Sequence, residues 1–365
     1  MGDRRQVDYG ILLTVSALLA VGLVMVLSAS YVEAGQDYGD PYYFFKRQLM
    51  WMAIGLAGMW LAAKIDYDFW NRHAGVIMWL SIGLLVLVLV PGIGIASHGA
   101  RRWLGFGQVR FQPSEVAKLT AVMYASHLLG RTPLGSRDLR RGLLPTLTML
   151  LLLAALMMIE PDLGTTVATV GTVGVILLMA ELPWTWAGGL IAAAAPVLAF
   201  LIFGEEYRRR RFLAFLNPEA DPLGAGYHIT QGLYALGEGT LFGSGLGGSL
   251  QKYFWVPERH TDFIFAILGD ELGFVGAAAV IALFALFAWR GYRVAITVGD
   301  RFGALLATGL TTLIVVQAVI NIGVVTSVLP VTGITLPFIS FGGSSLVFSL
   351  TSVGMLLNIS RHAKY

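Results

Sequence analysis

The chain has 365 residues, 56% of them hydrophobic and only 13% charged, with a mean hydropathy of +0.72. Soluble domains carry about 25% charged residues, so this composition excludes a water-soluble globule and makes lipid the solvent for much of the surface. A net charge of +3 without a long basic run excludes nucleic acid as a partner, and the lack of cysteine excludes thiol catalysis, disulfides and cysteine-ligated metals.

A transmembrane helix needs about 20 mostly apolar residues. Such runs fall near Gly10–Tyr31, Leu49–Ala63, Ala74–Val90, Val116–Leu129 (which contains Lys118), Leu143–Ile159, Leu163–Ala180, Trp184–Phe203, Phe263–Trp289, Phe302–Leu329 and Phe338–Ile359. They predict an all-α polytopic membrane protein of about ten transmembrane helices. No short-period repeat or low-complexity linker divides it, so residues 1–365 are read as one domain. The first run follows Arg4 and Arg5 as a secretory signal would, but it exceeds the roughly 7–15 residues of a signal core and is read as a span.

Orientation follows from Lys and Arg in the short loops. With a cytoplasmic amino terminus, thirteen basic residues fall in inner segments, Arg137 and Lys364 among them, and eleven in outer ones. Six of those eleven lie in residues 204–261, a loop between helices 7 and 8 too long to weigh heavily. Thirteen against five places both termini in the cytoplasm and the long loop outside.

Four polar groups then reach the outer surface. The first is Gly99–Leu104, with Arg101 and Arg102, followed by Gln112–Lys118, where Pro113 suits a first helical turn. Glu115 and Lys118 share one helical face within roughly 10 Å of the helix start, as a structural ion pair or a substrate contact. The second is Glu160-Pro161-Asp162, either a capped turn or a weak divalent-cation site. The third is the long loop, with Arg208–Arg211 and the run Gly243–Gly248. Four consecutive arginines point around a helix, so they contact lipid headgroups or, in part, a site; the glycines could cradle phosphate but match no nucleotide motif. The fourth is Pro257-Glu258-Arg259-His260-Thr261-Asp262, where Asp262 is expected in the first turn or N-cap of the eighth helix.

Further along, Asp270 and Glu271 read as structural acids, expected to pair with Lys118, Gln317 or Asn321. Asp262 and Glu271 are half a turn out of phase and do not face one cavity. Residues 329–345, rich in Pro, Gly and hydroxyls and including Ser344, predict non-helical backbone lining a cavity open to the outside. Such a cavity suits a ligand with an anionic head and a lipid tail; an ion-coupled transporter would carry its acids nearer the midplane.

These motifs resemble the SEDS family (shape, elongation, division and sporulation). The matching segments are Gly99–Leu104, Gln112–Leu119, Glu160–Thr165, Phe215–Pro218, Asp221–Gln231, Pro257–Phe274 and Pro330–Ser345, in the family's order over nearly the whole chain. The run at 257–265 and the later Gly-Gly-Ser-Ser are the most specific. Overall texture and the lack of a long amino-terminal extension are nearer the elongation branch, RodA, than the division branch, FtsW.

The resemblance implies a ten-helix protein of the bacterial cytoplasmic membrane that polymerises lipid II into glycan beside a class B penicillin-binding protein. It matches Asp262 to the family's catalytic aspartate, and Glu115 and Lys118 to its paired Glu and Lys. A mechanism consistent with both the residues and the resemblance makes Asp262 the general base, with Arg101, Arg102, Glu115, Lys118, Arg210, His260 and Ser344 as substrate-binding candidates. Glu160, Asp162 and Glu271 are structural or possible site residues. No resident metal is expected, although a divalent cation, magnesium or manganese, is a candidate helper at the pyrophosphate. A lipid II flippase and a non-catalytic scaffold for the transpeptidase are the rival readings.

Overall fold

The structure is a computed structural model describing residues 7–97, 100–106, 109–132, 139–222, 224–253 and 255–363. Arg4, Arg5, Gly99, Arg137 and Lys364 lie outside the described residues. The chain runs through α1 (Tyr9–Tyr38), α2 (Tyr43–Lys64), α3 (Tyr67–Leu89), strands β1 (Ile95–Ser97), β2 (Ala100–Phe106) and β3 (Val109–Phe111), then α4 (Pro113–Arg131), α5 (Leu139–Ile159), α6 (Leu163–Met179) and α7 (Trp184–Phe203). Two shorter helices follow, α8 (Glu206–Leu216) and α9 (Ala225–Glu238), and then α10 (Ile264–Thr297), α11 (Arg301–Val325) and α12 (Gly343–Ser360).

Seven of the described helices, α1, α3, α5, α7, α10, α11 and α12, are long and apolar enough to cross a membrane. The α2, α4 and α6 helices, of 22, 19 and 17 residues, correspond to the other expected runs. The structure adds a small antiparallel sheet, β1-β2-β3, that the apolar pattern did not announce.

Burial separates centre from rim. In the best apolar window 78% of α11 and of α12 is buried but only 6% of α7. Thus α11 and α12 form the axis of the bundle, while nearly all of α7 is left to lipid.

Contacts sort the helix ends onto two faces. On the terminal face, the Asp8 N–H donates to Ser360 Oγ at 3.1 Å, Tyr67 Oη donates to Asp300 at 2.6 Å and Arg301 donates to the Ala180 carbonyl at 3.1 Å. The distal face gathers the meander, the α5–α6 turn, residues 204–263 and residues 326–342. There Gln112 Nε2 donates to Asp162 Oδ2 at 3.0 Å, and Gln48 Nε2 donates to the Ser340 carbonyl at 3.1 Å.

The long segment before α10 folds back along that helix. Phe274 and Val275 donate their N–H groups to the Thr240 and Leu241 carbonyls at 2.9 and 3.1 Å. These bonds require α10 to open at Gly273, whose φ of 67° and ψ of −170° break the helical run. A Cβ there would stand 2.3 Å from the Gly243 nitrogen. Only glycine combines that positive φ with so close an approach.

Candidate active site

Asp262 lies on the distal face, in the turn that enters α10. It does not cap the helix: the capping position is Phe263, without a side-chain bond, which corrects the N-cap expectation. Among the described residues no hydrogen bond or ion pair engages its carboxylate. The carboxyl is half-buried but closely surrounded by protein. Burial first, then the Glu258 carboxylate, pushes it up to about 7, against the lowering pull of Arg211 and His260; Asp162 adds to the rise. At that value the group exchanges a proton near neutral pH, as a general base must.

The backbone beneath this carboxylate is fixed on three successive carbonyls. His260 O accepts from the Phe341 N–H at 2.9 Å, Thr261 O from Ser340 Oγ at 2.7 Å, and Asp262 O from Asn321 Nδ2 at 2.7 Å. Gly333 forms the floor: a Cβ on it would stand 3.5 Å from Asp262 Oδ2, and its φ is +79°. The next link reaches α6, where Gly164 packs against Thr332 and Ile334, so the Glu160–Thr165 motif and Asp262 share one wall.

The other predicted residues divide into those the fold commits elsewhere and those it leaves available. Arg101 is exposed on β2. Arg102 donates through Nε to Glu160 O at 2.7 Å and through Nη2 to Pro161 O at 2.6 Å, locking the meander to the α5–α6 turn. Glu115 and Lys118 form a buried ion pair of 2.8 Å. They line a cavity of about 10 Å³ with Gln317, Ser349 and Ser352, room for about one water. Ser344 is buried and accepts the Gln112 N–H at 3.0 Å.

His260 is also buried. It packs on Phe44 and Phe341 with ring centroids 4.3 and 5.7 Å away, and its Nδ1 lies 3.3 Å from Glu33 Oε2. Arg210 is exposed and ion-paired with Glu206 one turn away. Its neighbour Arg211, stacked on Tyr207 with 4.4 Å to the ring centroid, is the arginine whose charge is felt at Asp262.

Asp162 does cap α6, accepting the Thr165 N–H at 3.1 Å, and also accepts from Gln112. Glu160 is 1% exposed, and neither carboxyl oxygen has a hydrogen-bond partner among the described residues. Burial, then the Asp162 charge, pushes Glu160 up to about 8, opposed by Arg102.

Two expectations fail here. Glu271 pairs with Lys252 at 3.2 Å and with Ser28 at 2.6 and 2.7 Å, not with Lys118, Gln317 or Asn321. The glycine run offers no phosphate cradle, because the Gly243, Ser244, Gly245 and Gly248 N–H groups are taken by the Gly239, Asp270, Glu271 and Gly245 carbonyls. Sequence reasoning missed Glu33 and His228, took Asn321 for a partner of the α10 acids, and singled out Arg210 where Arg211 is the arginine that acts on Asp262. His228 lies on α9, its ring centroid 5.9 Å from that of Phe263, and burial, then the Arg211 charge, lowers its proton affinity below that of an ordinary imidazole.

A resident metal does not fit this donor set, since no group of three or more His, Cys, Asp or Glu with metal-holding geometry occurs among the described residues.

The family model for FtsW, RodA and SpoVE, described as cell cycle protein, matches residues 9–365. Stage V sporulation protein E of Bacillus subtilis is 44% identical over 350 residues, covering 95% of each chain. The probable peptidoglycan glycosyltransferase FtsW of Trichlorobacter lovleyi is 42% identical over 360 residues, covering 98% of this chain and 94% of that one. Among solved structures, a peptidoglycan synthase complex studied for coordination of polymerization and crosslinking contains a chain of TM-score 0.80 and 30% identity, with 97% and 98% covered. The rod shape determining protein RodA of Thermus thermophilus gives a TM-score of 0.72 at 27% identity, with 98% of each chain covered. On this agreement over nearly its full length, the chain belongs to the FtsW, RodA and SpoVE family of membrane proteins, the SEDS family.

Proposed function

We propose that the protein is a peptidoglycan glycosyltransferase that polymerises lipid II at the outer face of the bacterial cytoplasmic membrane. The observation carrying this reading is the half-buried Asp262 carboxylate, unengaged among the described residues and poised near neutrality under the charge of Arg211 on the distal face. Ten spans with both termini inside, the orientation favoured by the short-loop basic residues, put that face outside. Lipid II then presents its sugars and pyrophosphate at the depth of Asp262 while its tail stays in the bilayer.

In the reaction Asp262 takes the proton from the acceptor sugar's 4-hydroxyl. That oxygen attacks the donor's anomeric carbon opposite the bond to pyrophosphate, so the α-linked donor becomes a β-1,4 linkage. Undecaprenyl pyrophosphate departs with the bonding electrons. Arg101 and Arg211 supply positive charge to the leaving group. Lys118, paired with Glu115, acts from beneath; Arg102, His260 and Ser344 shape the wall. A magnesium or manganese ion brought by the pyrophosphate and held by Asp162 and Glu160 would supply charge neutralisation there.

Partners follow from the same reading: the nascent glycan, bilayer lipid around α7, and a class B penicillin-binding protein that cross-links the product. Service in cell elongation rests on RodA-like texture and fold, against higher identity to relatives named FtsW and SpoVE. Depleted cells that round up support it, and cells that filament overturn it.

The test is purified protein with lipid II in detergent, with and without the transpeptidase and with and without chelator, scored for glycan polymer. Wild type makes polymer and Asp262→Asn makes none while remaining folded. Polymer from Asp262→Asn would remove the base, and lipid II transport without polymer in vesicles would favour the flippase reading.

A further inference from the structure

We infer that Asn321 is a positioning residue for the reaction at Asp262, its single amide group fixing both the turn that carries the carboxylate and the floor beneath it. The inference rests on the polymerase reading and goes beyond it, because Asn321 touches no reacting atom. An amide nitrogen has two donors, and here both are spent: one on Asp262 O and one on Ile334 O, each at 2.7 Å. The two carbonyls belong to different segments, the turn into α10 and the irregular stretch between α11 and α12. Ile334 directly follows Gly333, the residue facing Asp262 Oδ2. The distance from carboxylate to floor is therefore set by one side chain on the central helix.

Two features separate this from ordinary packing. Asn321 is 1% exposed and its Oδ1 has no hydrogen-bond partner among the described residues, a cost that a leucine of similar volume would avoid. The preceding carbonyls, at Thr261 and His260, are held by Ser340 and Phe341 of the same α11–α12 stretch. With all three carbonyls tied, the turn keeps its shape and only the Asp262 side-chain torsions remain free. Loss of the Asn321 bonds releases the last and nearest tie.

Asn358 provides a matched control. It is 4% exposed, donates to Ala63 O at 3.0 Å and accepts the Tyr67 N–H at 3.0 Å, on the terminal face far from Asp262. The full chain is assayed in detergent with lipid II across about pH 5.5 to 9, with rates expressed per folded molecule. Asn321→Leu should lower kcat at least about tenfold, since a shift of about 1 Å in a reacting group costs up to about 100-fold. KM for lipid II should stay within about twofold, and the acid limb of kcat should move to lower pH as the loosened carboxylate meets water.

Asn321→Gln, which keeps both donors, should recover part of the rate, and Asn358→Leu should change neither kcat nor the limb. Asn321→Leu behaving like Asn358→Leu, or a loss confined to KM, would overturn the inference. If Asn321→Leu does not fold, Asn321→Ser decides: a partial kcat loss with a shifted limb supports positioning, and a wild-type profile overturns it. Inactive wild-type protein in the same assay would instead sink the polymerase reading itself.

Discussion

Glu33 on α1 holds Arg259, three residues ahead of Asp262, through an ion pair of 2.9 Å, and the same carboxyl oxygen lies 3.3 Å from His260 Nδ1. The first helix thereby anchors the turn that enters α10. The Arg259 side chain is 5% exposed and that of Glu33 24%. Removing one partner of a fully buried pair costs about 3–5 kcal/mol, because the other charge is stranded. Glu33→Gln, at a partly wetted site where Arg259 keeps a further contact, should cost less than that, about 1–2 kcal/mol, and lower the unfolding temperature in detergent. Arg259→Met added to Glu33→Gln should recover part of that loss. A double variant no more stable than Glu33→Gln alone would mean that the pair does not couple.

The charges around Asp262 predict a pH profile with a definite sign. The working base is the deprotonated form, so polymerisation should rise with pH up to about 7 and then level off. Below that point the rate should fall about tenfold per pH unit. Arg211 lowers the proton affinity of Asp262 and Glu258 raises it. Arg211→Gln should therefore move the acid limb up, and Glu258→Gln should move it down. Both variants moving the limb in one direction would show that these side chains do not act through charge.

Much of this was legible in the sequence, because lipid leaves the chain little choice: apolar runs become helices, and ten such runs mark α1 to α7 and α10 to α12. The ends were less legible. Lys46 and Arg47 cut the second run at Leu49, yet α2 begins at Tyr43, since charged residues at a helix end reach water without breaking it. The β meander was invisible because its strands are short and carry Arg101, Arg102 and Arg110 in place of an apolar alternation.

Asp262, and the wall formed by residues 160–165 and 330–345, stood out as polar groups where lipid tolerates few. Arg210 and Arg211 could not be told apart, being identical neighbours about 100° apart on a helix whose rotation only tertiary contacts define. Asn321, a lone amide inside an apolar run, read only as a neighbour for the α10 acids. Its role arises from two carbonyls brought by segments 59 and 13 residues away.

Glu160 carries a second pH signature, in stability. Its folded value of about 8 lies above its ordinary 4.5. The folded state then binds the proton more tightly than the unfolded chain, and stability falls as pH rises between those two values. Glu160→Gln mimics the protonated form at every pH. The variant should match wild type near pH 4 and gain on it steadily to about pH 8, by a few kcal/mol in all, with no further gain above. Unfolding temperatures across that range provide the check. A gap that narrows with rising pH would show that the Glu160 carboxylate is stabilised by a partner, and a bound cation would have that effect.

Lys252 and Glu271 tie the glycine-rich stretch to the kinked start of α10. Lys252 Nζ lies 3.2 Å from Glu271 Oε1 and donates to Gly247 O at 2.6 Å, while Ser28 Oγ lies 2.6 and 2.7 Å from the two Glu271 oxygens. With side chains 6% and 0% exposed, the pair is a buried cation and anion of equal number, so deleting either strands the other. Lys252→Met should destabilise the protein by about 3–5 kcal/mol. Lys252→Met with Glu271→Gln should regain much of it, because a neutral amide leaves no charge behind and can still bond to Ser28 Oγ. The local consequence is separable from the global one: loss of the lysine should free residues 243–250 from α10 and open them to limited proteolysis at temperatures where the bundle is intact. If Lys252→Met resists protease as wild type does, the backbone bonds from Ser244 and Gly245 to Asp270 and Glu271 hold the stretch without the ion pair.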